Sequence, residues 1–304
     1  MLECEQNVTA APLFSVVIPV YNDWAALEQC LQSLGRQTNA PPFEVIVVDD
    51  GSTAISSHSM GSSDYGYPLT VIRQAHTGIP SARNRGIRVS RGTVLLFVDS
   101  DCRLNPNCLA ALNSTIRNST QHDFFQLRLV GNSSSLVGRA EDLRLTTFQT
   151  LMLQPDSRIR YLNTAGFAIR RSRTDIETDI FDPAALRAED TLLLASLMQA
   201  GQLPLFVPNA IVEHSIPLSF VGCLRKDIRS VRLERRAYEI IASKGVKIRV
   251  THRERLRLLR SMWKTASQDS IGRSAWFVLV IRQALQRMIS FAYRCLWLGF
   301  SGNA

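Results

Sequence analysis

Carboxylates in this chain fall where they can do chemistry together. Asp49-Asp50-Gly51-Ser52 follows an apolar run at 43–48, and Asp99-Ser100-Asp101 follows another at 93–98. In an extended segment residues two apart point the same way, so Asp99 and Asp101 can face one ligand. A third apolar run, 14–20, contains Pro19 and leads into Tyr21-Asn22. Placed side by side, the three segment ends deliver oxygen-bearing groups to one edge, where clustered carboxylates repel unless a cation sits among them. Arg83 opens a helical stretch after Gly78, so its cation and the helix N-terminus can both meet a diphosphate. Further on come the acidic pair Glu189-Asp190 and a histidine, His214.

The elements that must position these groups are legible in the hydrophobic pattern. Residues 14–20 are almost continuously apolar, as a strand buried on both faces should be. Asp23 is expected to cap a helix carrying Trp24, Leu27, Leu31 and Leu34 on one side and ending at Gly35. Strands are expected at 43–48, 69–72 and 93–98, with a helix at 81–89 between the last two. Strands separated by helices favour a parallel sheet with ligands at the strands' carboxyl ends. The middle of the chain is less regular. Strands are expected at 124–130, at 162–171, where Gly166 permits close backbone approach, and at 203–213. Residues 188–201 read as a helix ended by Gly201, and from Pro217 onward the pattern is almost wholly helical.

Charge narrows the partners. The net charge is +9, and the segment 225–260 holds thirteen Lys/Arg against four Asp/Glu, so the surplus is confined there. Localised basicity points to anionic lipid or a phosphorylated substrate. Nucleic acid is not expected, because no binding motif accompanies the charge. The six cysteines include no CxxC pair and read as reduced thiols of a cytoplasmic protein. The opening MLECEQNVTAAPLF has neither a basic nor an apolar leader region, so no signal peptide is expected, and the sequons at Asn7, Asn113 and Asn118 are expected to stay unused.

The segments FSVVIPVYND, VIVVDDGS, TGIPSARNRGI, LLFVDSD, the Ala188-Glu189-Asp190 triplet and the later His214, in this order and spacing, resemble glycosyltransferase family 2 over roughly residues 13–240. The resemblance implies a GT-A fold: α/β, Rossmann-like, with a mainly parallel central sheet flanked by helices, here followed by a helical C-terminal extension. It implies inverting transfer of a sugar from a nucleotide-diphosphate sugar, a UDP-sugar above all, to a saccharide or lipid-linked acceptor. By the same resemblance Asp50 accepts the N3–H of a uracil, Tyr21 stacks on the base, Pro19 shapes the wall and Arg83 meets the diphosphate. Asp99-Ser100-Asp101 resembles the DxD motif, with Asp101 a metal ligand and Asp99 on ribose or metal. Sparse oxygen ligands suit Mg2+ or Mn2+, and His214, where some GT-A enzymes place a histidine ligand, tilts the choice to Mn2+. Asp190 matches the aspartate that takes the acceptor proton. The segment Ala165-Gly166-Phe167-Ala168-Ile169-Arg170-Arg171 departs from the Gly-Asn pair usual before the apolar-Arg-Arg run, which bears on acceptor contacts.

The expected organisation is a tail at 1–12, a catalytic domain at 13–216 (nucleotide half 13–102, acceptor half 103–216) and a basic, amphipathic extension at 217–304. In 274–300, Arg282, Gln283, Gln286, Arg287, Ser290 and Arg294 share an arc of about 140° at 100° per residue. Central arginines are costly in hydrocarbon, so the helix is expected to lie on an anionic membrane, basic face to head groups, at the inner face of the cell membrane. Two other readings compete. A catalytically silent module would tolerate loss of Asp99, Asp101 or Asp190. A nucleotidyltransferase needs a Gly-rich basic loop after the first strand, where this chain has Val20-Tyr21-Asn22-Asp23.

Overall fold

The computed structural model describes residues 11–53, 62–171, 179–185, 187–214, 219–243, 245–246, 248, 250–268 and 270–300. Residues 1–10 of the expected tail and the helix start expected at Pro217 lie outside the described residues. The first half runs β1 (Phe14–Val20), α1 (Trp24–Gly35), β2 (Phe43–Asp49), α2 (Ser62–Tyr65), β3 (Leu69–Arg73), α3 (Ile79–Val89), β4 (Val94–Phe97), β5 (Cys102–Leu104) and α4 (Cys108–Asn118). It continues with β6 (Phe124–Gly131), α5 (Leu136–Met152), a 3-10 turn (Thr164–Gly166), β7 (Phe167–Arg170), α6 (Glu189–Gln199) and β8 (Leu205–His214), then α7 (Phe220–Ser243), α8 (His252–Ala266) and α9 (Ser270–Phe300).

The strands form one eight-stranded sheet in the order β3-β2-β1-β4-β7-β6-β8-β5. From β3 to β4 every pair is parallel, as expected from the alternation of strands and helices. Beyond β4 the sheet turns mixed: β7 is antiparallel to both β4 and β6, β6 is parallel to β8, and β5 is antiparallel to β8. The expected mainly parallel, Rossmann-like sheet is therefore corrected to a mixed sheet with helices after it. The irregular middle carries the difference. The 17-residue α5 lies between β6 and β7, so the chain returns from the far side and enters beside β4 in the opposite direction.

Both sheet faces are covered, which is why β4 is wholly apolar and β1 is apolar except for the buried Ser15. Val16 and Ile18 pack with Leu27 and Leu31 of α1 and Leu109 and Leu112 of α4. Val17, Leu95 and Phe97 face the other side, against Ile87 of α3 and Leu194 and Leu197 of α6. In α1 the buried Leu27, Leu31 and Leu34 are spaced to form one stripe. Asp23 stands at its N-cap, but the side chain makes no capping hydrogen bond. A Cβ on Gly166 would lie 2.8 Å from Leu129 Cδ2, so the close approach expected there is real.

Helices α8 and α9 pack on α5, and α7 packs on α6 and α9. Arg282, expected on a lipid-facing arc, points inward instead and is 14% exposed. Its guanidinium donates to both carboxylate oxygens of Asp227 on α7, at 2.7 and 2.8 Å, and to Glu141 on α5. Burial works against the Glu141 charge, yet Arg144 and Arg282 hold its carboxyl below the usual range. Ala275 and Leu279 join Arg282 on the inner side, packed with Ala140 and Met262. The outer side carries Phe277, Ile281, Met288 and Phe291, all more than half exposed. Arg282 thus faces the protein, because it found acids 55 and 141 residues away in sequence, while Arg273 and Arg287 of the same helix remain exposed. Arg282→Met should strand the buried Asp227 and leave Glu141 with Arg144 alone, costing about 3 kcal/mol in chemical denaturation, with partial recovery when Asp227→Asn is added.

Candidate active site

The carboxyl ends of β1, β2 and β4 meet at one edge, and each brings the groups its sequence promised. Val20 is in register with Asp49, and the Asp50 amide donates to Val20 O at 2.9 Å. Pro19 is buried in β1. Val98 N donates to Val17 O, so Val17 and Pro19 face β4, but the β1–β4 pairing ends at Val17 and Phe97. Proline is tolerated there because β4 has already diverged, and that divergence opens the edge. Asp50 is 3% exposed and Tyr21 44%. Asp50 Oδ1 accepts from Gln74 Nε2 and Thr77 N, and Oδ2 from Gly78 N, which ties the loop before α3 to the end of β2. Asn22 and Ser52 join the two strand ends, Asn22 N donating to Ser52 Oγ at 2.9 Å.

Arg83 is a buried cross-link, 1% exposed, in place of an open cation. Its Nη2 donates to Asp99 Oδ1 at 2.7 Å and its Nη1 to Glu189 Oε1 at 2.9 Å, over the Phe181 ring. Gly86, one turn on, lets α3 lie against Val17, where any Cβ would overlap that side chain. The bridge brings the start of α6 to the DxD segment. Ala188, before α6, has φ 63°, a left-handed conformation unusual for alanine, and turns the chain so that Glu189 and Asp190 both point into the site. Thr164 Oγ1 donates to Asp190 Oδ1 at 2.7 Å. Burial, then the Glu189 charge, push the Asp190 carboxyl up to about 7, against the opposing pull of Arg83 and Thr164.

Asp101 and His214 meet because β5 pairs with β8 in a register that sets Cys102 opposite His214. His214 Nε2 lies 3.4 Å from Asp101 Oδ2. Burial opposes both charges, but the mutual hydrogen bond and attraction hold Asp101 below the usual carboxylate range and His214 above the usual imidazole range. Ligand atoms of Asp101, Cys102 and His214 lie within 4.8 Å of one another. One carboxylate and one imidazole suit Mn2+. Cys102 is a poor third donor for Mg2+ or Mn2+, because a thiol is a soft ligand and these cations prefer oxygen. Asp99, expected with Asp101 on the metal, is engaged by Arg83.

Sequence reasoning missed three participants. Thr164 precedes an unremarkable Ala-Gly and signals nothing locally. Glu189 was read only with its neighbour, although it is the partner of Arg83. His76 lies in the polar loop between β3 and α3, a strand end that held no acidic group to attract notice. The raised Asp190 value has a stability consequence. A carboxyl raised in the fold adds stability below its unfolded pKa and loses it as pH climbs through about 7. In EDTA, Asp190→Asn should therefore melt above the wild type at pH 8 and with it at pH 4.

The chain is similar to known proteins in sequence and in fold. The model of glycosyl transferase family 2 matches residues 15–176. The glycosyltransferase EpsJ of Bacillus subtilis is 42% identical over 93 residues, 30% of this chain and 26% of that protein. A PGL/p-HBAD biosynthesis glycosyltransferase of Mycobacterium bovis is 39% identical over 94 residues, 30% and 36% respectively. The chain thus spans about a third or less of the length of these curated relatives. Among solved structures, S. aureus TarS 1-349 with UDP-GlcNAc has TM-score 0.55 at 18% identity, covering 92% of this chain and 91% of that one. The mannosyltransferase PcManGT of Pyrobaculum calidifontis, with GDP-Man and Mn2+, has TM-score 0.55 at 15% identity, covering 93% and 84%. These two share the fold, which is broadly of GT-A type. The family match takes in more than half of the chain and every residue of the corner built by Asp50, Arg83, Asp99 and Asp101, so the chain belongs to glycosyl transferase family 2.

Proposed function

We propose that the chain transfers a sugar, with inversion, from a nucleotide-diphosphate sugar, a UDP-sugar by preference, to a saccharide or lipid-linked acceptor. The observation that carries this reading is the Arg83 bridge. It joins Asp99 of the nucleotide half to Glu189 and so sets Asp190 beside the DxD segment. Tyr21 and Asp50 offer a ring and an acceptor carboxylate for a base. TarS is described in complex with UDP-GlcNAc and PcManGT with GDP-Man and Mn2+, which supports a nucleotide-sugar donor and a divalent metal.

In a single displacement the acceptor hydroxyl oxygen bonds to the anomeric carbon as the bond from that carbon to the diphosphate oxygen breaks. Asp190 takes the hydroxyl proton. Thr164 occupies Oδ1 and leaves the other oxygen as the accepting one. Asp101 and His214 would hold a divalent cation, which when bound neutralises charge on the departing diphosphate. Arg83, being buried, acts by positioning Asp99 and Glu189.

Residues 217–304 are proposed to seat the chain on an anionic bilayer at the inner face of the cell membrane, near a lipid-linked acceptor. Among the described residues no helix is long and apolar enough to cross a membrane. Exposed Phe277, Ile281, Met288 and Phe291 share α9 with exposed Arg273 and Arg287, and α8, which packs on α9, exposes Arg257, Arg260 and Lys264. Anionic lipid satisfies both features at once. A second copy of this chain would set the same cations against each other.

The donor site is tested by thermal shift against UDP, GDP, CDP and dTDP, each with and without Mn2+. One nucleotide should raise the melting temperature, and EDTA should abolish the shift. Asp101→Ala should lose that metal-supported binding. Asp190→Asn should retain it and lose turnover by about 100-fold or more. Equal loss of donor affinity in both variants refutes the assigned roles. The wild type should co-sediment with vesicles containing anionic phospholipid and not with phosphatidylcholine alone. Phe277→Ser with Phe291→Ser should abolish that binding without altering donor affinity.

A further inference from the structure

The side chain of His76 makes the two contacts that a nucleobase would make at this corner. Its ring stacks on Tyr21, with centroids 4.2 Å apart and planes 23° from parallel. Its Nδ1 lies 2.9 Å from Asp50 Oδ2 and 3.0 Å from the Asp50 carbonyl oxygen. A planar heteroaromatic ring thus lies on the tyrosine while a ring N–H is donated to the aspartate. We propose that His76 is a stand-in for the base, holding the nucleobase place in the free protein and swinging away when a donor binds. The proposal rests on the reading of Tyr21 and Asp50 as the base site.

The surroundings favour movement of this side chain over movement of its loop. The loop backbone is pinned, because Thr77 N and Gly78 N donate to Asp50 at 2.9 Å each. Gly51, at φ 77°, lets that backbone come so close that a Cβ there would lie 2.7 Å from His76 N. Those amides also keep the Asp50 carboxylate oriented once the imidazole has gone. The His76 side chain itself is 54% exposed, so its pairing with the 4% exposed Asp50 carboxylate is screened on one side by water and is weak. Rotation about its side-chain bonds moves the ring into solvent and, among the described residues, breaks only the contacts with Tyr21 and Asp50. An N–H-bearing base then takes over both contacts, and Asp50 never loses a donor. The occluded form lowers the apparent affinity by the fraction of molecules in it. It also keeps a buried carboxylate and an apolar ring face satisfied between turnovers.

His76→Ala tests the exchange. UDP in Mn2+ should bind the variant about fivefold more tightly than the wild type, an equilibrium change of about 1 kcal/mol. In wild-type protein the His76 ring protons should be shifted upfield by the Tyr21 ring, and UDP should return them to the solvent-exposed position. These signals are assigned by their loss in the variant. Weaker or unchanged UDP affinity in His76→Ala overturns the proposal, as do His76 protons that stay upfield at saturation. Asp50→Asn separates this failure from failure of the site itself. If the wild type binds UDP and Asp50→Asn weakens it while His76→Ala leaves it unchanged, the base site stands and the exchange falls. If none of UDP, GDP, CDP or dTDP binds either the wild type or His76→Ala, the base site falls and the exchange with it.

Discussion

A guanidinium with almost no solvent contact needs counter-charge, and that need organises this molecule. Taking Arg83 out of water costs several kcal/mol unless anions meet it. The chain supplies two, Asp99 and Glu189, from segments that are otherwise separate. The requirement works in both directions. Asp99 cannot drift from the end of β4, and α6 cannot start elsewhere without stranding the cation. Burial of α3 against β1 through Gly86 sets the depth of Arg83 and therefore the height at which the two acids are held. The unusual Ala188 conformation is intelligible on the same ground, because a straighter entry to α6 would take Glu189 away from the cation.

With that clamp in place the remaining chemistry is divided by electrostatics. Asp99 and Glu189 share the Arg83 cation, Asp101 pairs with His214, and Asp190 is left with a single hydroxyl donor in a poorly solvated position. Asp101 is held as an anion by His214, while Asp190 is raised to about 7, where it can give and take a proton near neutrality. The environments push the carboxyls apart in pKa, and their proposed division of labour follows. The mixed half of the sheet is needed for this. Only an antiparallel β5–β8 pair, in the observed register, sets His214 beside the DxD segment.

The C-terminal helices obey the same rule at a second place. Arg282 is buried where α5, α7 and α9 converge, and Asp227 and Glu141 meet it there. The outer side of α9 is then left with exposed apolar side chains together with the exposed Arg273 and Arg287. Two buried arginines, one in each half of the chain, cross-link elements that local sequence would leave independent.

The parallel half of the fold was legible because its signals are local. Apolar runs, the helical spacing of Leu27, Leu31 and Leu34, and Gly201 at a helix end depend on neighbours within a few residues. So were the strand-end aspartates and the family they belong to, since a motif is a short-range pattern. The side-chain role of Asp23, the direction of β7, the inward turn of Arg282, Thr164 beneath Asp190 and the His76–Tyr21 stack were not legible. Each depends on a partner distant in sequence or on competition between partners, and a charged side chain carries no mark of which opposite charge will reach it. By itself the sequence determined which residues could carry out sugar transfer and the order in which they occur. Only the tertiary structure decided which carboxylate is neutralised and which is left to titrate, because burial and counter-charge are properties of packing across the whole chain.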